Sequence, residues 1–107
     1  MTAPTFRFAA PLWASGGTGA WVLLTVPFDQ ADAIDDVSQG VRHGFGSVRI
    51  EARLGTTTWR TSLFPDSRRK SFVMGVKRAV REAERVDVGD TVHVEVTLLE
   101  VDGATAG

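Results

Sequence analysis

Residues 47–63, SVRIEARLGTTTWRTSL, decide the fold. Val48, Ile50, Ala52 and Leu54 alternate with Ser47, Arg49, Glu51 and Arg53. Such alternation separates an apolar from a polar face only in an extended chain, where successive side chains point to opposite sides. Gly55 and Thr56 then turn the chain, and Thr57 to Leu63, with its threonines and Trp59, reads as the hairpin partner.

On the N-terminal side, Thr5 to Trp13 alternates and is rich in Phe, which predicts a strand in which Pro11 marks an edge or a break. Ala14 to Gly19 (ASGGTG) reads as a flexible hairpin turn. Trp21 to Val26 is a short, near-continuous apolar run suited to a central strand, closed by Pro27. Asp29 is placed as an N-cap, with Ala31, Ile34 and Val37 at helical spacing and Gly40 as the stop, giving a short helix over 30–39.

On the C-terminal side, Pro65 opens a polar loop carrying Arg68, Arg69 and Lys70, and Ser71 to Met74 forms a short strand. Val76, Ala79, Val80 and Ala83 recur at i, i+3, i+4 and i+7, which predicts a second helix of about ten residues. Val92, Val94, Val96 and Leu98 alternate in a last strand, with a bulge expected at Leu99, and 102–107 is expected to fray. The sum is a single mostly-β domain over 1–107, a small barrel, closed or split, of about six strands, with two short α-helices capping its ends.

Composition narrows the chemistry. The 107 residues include no cysteine, which excludes a disulfide framework, a thiolate zinc site and a cysteine nucleophile. Met1 to Trp13 has no unbroken apolar stretch, and the run closed by Pro27 is far shorter than the ~20 residues of a membrane helix. A soluble, cytoplasmic protein without membrane association is the expectation. The net charge is −1, yet all but one of the twelve Lys and Arg lie between 42 and 85, while every charged residue from 86 onward is acidic. A basic middle segment can face an anion, or a folded barrel can interleave it with the acidic segments and neutralise it locally.

Three motifs in order resemble a known family: Trp59-Arg60-Thr61-Ser62-Leu63-Phe64-Pro65, then Val76-Lys77-Arg78-Ala79-Val80-Arg81-Glu82-Ala83-Glu84, then Val88-Gly89-Asp90-Thr91-Val92. Gly19-Ala20-Trp21 and Pro27 fit the same pattern, which covers 5–101. The chain is similar to a bacterial and archaeal domain-of-unknown-function family whose members stand alone or precede YdeI/OmdA-type domains linked with bacteriocin protection. The resemblance implies a double-split β-barrel and no established activity. Met74-Gly75 stands where the family usually reads Leu-Pro, and Ser67 to Ser71 replaces a loop that usually contains Gly. A shorter likeness, Phe72 to Val94, is similar to the swapped-hairpin DNA-binding modules of the AbrB/MazE kind, which implies a dimer with a basic face, here Arg49, Arg53, Arg60, Arg68, Arg69 and Arg78.

The candidate site lies around the second helix. Lys77 and Arg81 are spaced i, i+4 and repel unless an anion lies between them. Lys77 and Arg78 fall in the first turn, where cations oppose the helix dipole. The expected anion-binding set is Ser62, Lys70, Lys77 and Arg81, with Trp59 as a pocket aromatic. The competing expectation is that Arg78–Glu82 and Arg81–Glu84 pairs absorb these charges. Trp13, Trp21 and Trp59 read as core or barrel-end fillers, with an aromatic pocket or base-stacking platform as the alternative. Gly16-Gly17-Thr18-Gly19 lacks the ending of a phosphate loop, and His43 and His93 stand in no metal-ligand spacing. No catalytic residue, metal or cofactor is expected. The partners expected are a small anion or a protein, with nucleic acid as the alternative.

Overall fold

A computed structural model describes residues 3–16, 21–41, 46–68 and 70–99. The elements run β1 (Thr5–Ala14), β2 (Val22–Thr25), α1 (Phe28–Val37), a 3-10 turn (Gln39–Val41), β3 (Val48–Leu54), β4 (Thr57–Asp66), β5 (Ser71–Gly75), α2 (Arg78–Glu84) and β6 (Thr91–Leu98). The strands close an antiparallel barrel in the order β1-β2-β5-β4-β3-β6. Val48, Ile50, Ala52 and Leu54 of β3 are buried, as are Val92, Val94, Val96 and Leu98 of β6. The alternation therefore sets the barrel's inner face as expected. Among the described residues no helix is long and apolar enough to cross a membrane.

The barrel is split in two places, and proline and strand length explain both. Leu12 donates its N–H to the Asp90 carbonyl (2.9 Å), so the nitrogen of Pro11 turns the other way, toward β2. A proline there has no N–H to give, and the β1–β2 ladder stops at Leu12↔Leu24. β2 then peels off through Pro27 into α1, which seals the gap with Ala31 and Ile34. The second split follows β5, whose ladder with β4 covers only Leu63 to Asp66. Val76 leans to the other neighbour, donating to the Val22 carbonyl at 2.9 Å, and α2 inserts Val80 into the opening. Each short strand thus leads into a short helix that fills part of the gap the strand leaves.

Four expectations are corrected. Pro27 occupies the N-cap of α1 and Asp29 lies inside its first turn, with no side-chain cap; the fixed φ of proline suits a helix entry. Pro65 does not begin the loop: β4 continues through Pro65 and Asp66, paired with Phe72 and Ser71. By the alternation of the ladder the Pro65 nitrogen faces the β3 side, where pairing has already ended at Val48↔Leu63, so no bond is lost. α2 has seven residues, and Val76, counted into the helical pattern, belongs to the extended chain before it. Strand β6 ends at Leu98, and Leu99 donates to the Arg49 carbonyl (2.9 Å). Gly17 to Gly19 of the expected turn and the 102–107 tail lie outside the described residues.

Trp13 and Thr25 fasten the β1–β2 hairpin at the first split. The indole Nε1 donates to Thr25 Oγ1 at 3.0 Å in a half-buried setting. Thr25→Val keeps the branched shape and removes the acceptor, and it is expected to cost about 1 kcal/mol. For a chain of this size that lowers the melting temperature by about 4–8 °C, readable by thermal denaturation.

Candidate functional site

The second split opens as a cleft of about 320 Å³ between β4 and the start of α2. Trp59, inward-facing on β4, is buried at its floor, opposite Ala52 in the hairpin register. Gly75 ends β5 at the rim, and Trp21, just before β2, forms a wall. Arg60, Lys77 and Arg81 supply three cations, and among the described residues no carboxylate lines the cleft. The size falls at the lower end of small-molecule sites.

The cations are held differently. Arg81 is half-buried, and its Nε donates to the Val76 carbonyl at 3.1 Å, which fixes the guanidinium; among the described residues its remaining N–H donors have no carboxylate partner. Lys77 is exposed at the N-cap of α2, where its carbonyl accepts the Val80 and Arg81 N–H groups (3.0 and 3.1 Å). Arg60 lies 3.9 Å from Glu51 on the neighbouring strand, a loose exposed pair. Among the described residues neither Lys77 nor Arg81 pairs with a carboxylate. The expected Arg78–Glu82 pair is present at 3.0 Å. The expected Arg81–Glu84 pair is replaced: Glu84 accepts from the hydroxyls of Thr56 and Thr57. A two-turn helix has little macrodipole, so the positive charge of the cleft comes from the side chains rather than the helix end.

Of the residues expected to bind an anion, Lys77, Arg81 and Trp59 come together. Lys70 does not join them. It sits in the β4–β5 turn with φ 51°, at the far end of β5 from Lys77, about 13 Å of strand away. It lines a separate recess under α1 with Phe28, Asp32, Asp35 and Asp66, so its neighbours are acidic. Ser62 lies on β4 opposite Arg49 and lines neither recess. Trp21 is not a core filler: it is 73% exposed at the cleft wall. Trp21 and Arg60 also line the cleft, although neither belongs to the expected anion-binding set.

The other basic residues are interleaved with acids. Arg49, Glu51 and Arg53 share the outer face of β3, and Arg53 stands opposite Glu95 of β6, which binds Arg7 at 2.7 Å. His93 is exposed on β6, and His43 and Arg69 lie outside the described residues. Among the described residues no group of three His, Cys, Asp or Glu could hold a metal ion.

The family described as Domain of unknown function (DUF1905) matches residues 8–96. No curated protein matches the chain.

Proposed function

Since the chain belongs to the family described as Domain of unknown function (DUF1905), we propose from its own geometry that it is a non-catalytic binding module. In this reading the cleft between β4 and α2 takes a small anionic ligand or the acidic part of a protein partner. One observation carries it: Lys77 and Arg81 share one opening with Trp21 and Trp59 and have no carboxylate partner among the described residues. Like charges held side by side are repelled until an anion lies between them, and the indoles supply flat apolar surface for the body of a ligand.

The test is a thermal-shift screen of carboxylates and phosphorylated metabolites. A ligand at one hundred times its Kd adds about 2.7 kcal/mol, a shift of about 10 °C or more at this chain length. The double substitution Lys77→Ala, Arg81→Ala is expected to abolish the shift while the protein still melts cooperatively. A shift that survives it would place the ligand elsewhere.

The DNA-binding alternative draws less support. Swapped-hairpin modules build a barrel from two chains, whereas here one chain closes it. The arginines such a face requires are separated by Glu51 and Glu95.

A further inference from the structure

The backbone bordering the cleft is as informative as its side chains. β4 is ten residues long, but on the β5 side only Leu63 to Asp66 are paired. The bonds from Val26 N–H to the Phe72 carbonyl and from Val76 N–H to the Val22 carbonyl turn Phe72, Met74 and Val76 toward β2. Val73 therefore faces β4, and its partner Phe64 faces back. The register along β4 is continuous, so Thr58 and Arg60 share the phase of Phe64 and aim their N–H and C=O groups into the opening. Among the described residues no backbone group bonds to them there.

This edge lacks most of the devices that protect free strands. Thr58 to Ser62 has no proline and no bulge, and α2 is fastened to β4 through Glu84 at Thr56 and Thr57, before the open stretch begins. The open stretch faces Lys77 and Arg81, with Arg60 on the strand itself. A second copy of the chain would set these cations against their own counterparts, so self-pairing at this edge is opposed by charge.

We propose that the cleft receives an extended peptide segment with acidic side chains, which adds to β4 at Thr58–Thr61 as a further strand. Main-chain bonds to Thr58 and Arg60 hold the segment, an acidic side chain lies between Lys77 and Arg81, and the alternate side chain rests on Trp21 and Trp59. The proposal rests on the anion-binding reading and adds to it the peptide backbone as the second thing recognised.

The test titrates the full chain with a capped hexapeptide of alternating glutamate and valine. Its companions are the lysine–valine counterpart, two N-methylated forms blocking alternate amides in either phase, and citrate as a small anion. The acidic peptide is expected to bind and the lysine peptide not to bind. One N-methylated phase is expected to lose roughly tenfold or more in affinity and the other to keep it, since a strand uses alternate amides toward its neighbour. Amide exchange at Thr58 and Arg60 is expected to slow in the complex. Equal binding of both N-methylated forms, or citrate binding without peptide binding, overturns strand addition and leaves the anion reading standing. Failure of citrate and peptide alike overturns both.

Discussion

Leu63→Ala is expected to destabilise the protein by about 3–5 kcal/mol, the upper range for a leucine removed from a core that cannot collapse. Leu63 is fully buried and lies level with Val48 on β3 and Met74 on β5. Met74 in turn faces Leu24, and Leu24 faces Leu12. The five side chains form a belt through β3, β4, β5, β2 and β1, each 1% exposed or less. At this level every strand from β4 to β2 is laced on both sides, because both splits lie above or below it. The backbone cannot close over a missing side chain, so the cavity persists and its cost is felt in full. A melting temperature lower by about 15 °C or more is the result to look for. The denaturant midpoint should fall with an unchanged slope. Leu63→Met, which nearly conserves volume, should cost less than about 1.5 kcal/mol. A loss below about 1 kcal/mol for the alanine variant would show that the belt relaxes and that the splits loosen the whole barrel.

The same belt explains what could be read from the sequence. β3 and β6 each pair on both sides over much of their length, so their inward positions are buried throughout and alternation is clean. The strands that border a split mislead. Val76 satisfies a helical spacing with Ala79, Val80 and Ala83, yet it is bonded to Val22 as the end of an extended segment, and Ala79 and Ala83 are exposed. Local periodicity cannot tell a strand's last residue from a helix's first. The candidate site divides in the same way. Lys77 and Arg81 are neighbours by helical spacing, which is local, and the structure brings them together. Lys70 is close to Lys77 in sequence, but the strand between them is extended and carries them to opposite ends. Arg60 and Trp21 are cleft residues only because β5 stops at Gly75 and leaves β4 uncovered. That is a fact of register between distant segments, and no local signal marks it. Pro11 is the exception: a proline within a strand pattern indicated a break, and the break is one of the two splits.

Gly55→Ala is expected to cost about 2–4 kcal/mol, from two sources that can be separated. Gly55 has φ +61° in the two-residue turn between β3 and β4, and a left-handed backbone costs an L-residue about 1–2 kcal/mol. A Cβ there would also overlap the Glu84 carboxylate. That carboxylate accepts from Thr57 Oγ1 and, at 3.3 Å, from Thr56 Oγ1, and so latches the end of α2 to the hairpin. α2 buries only Val80 and depends on two polar contacts, Glu84 on the turn and Arg81 on the Val76 carbonyl. Displacing Glu84 breaks one of them. Glu84→Ala alone should cost about 1 kcal/mol, and the pair of substitutions should cost less than the sum of the two, because alanine at 55 meets no carboxylate once Glu84 is gone. Gly55→Asn isolates the overlap, since asparagine tolerates the left-handed region but still carries a Cβ. If latch and overlap are coupled, Gly55→Asn loses most of its cost in the Glu84→Ala background. Strict additivity would mean that Gly55 serves the turn alone and that α2, with its two cleft cations, is held in the split by Val80 and Arg81.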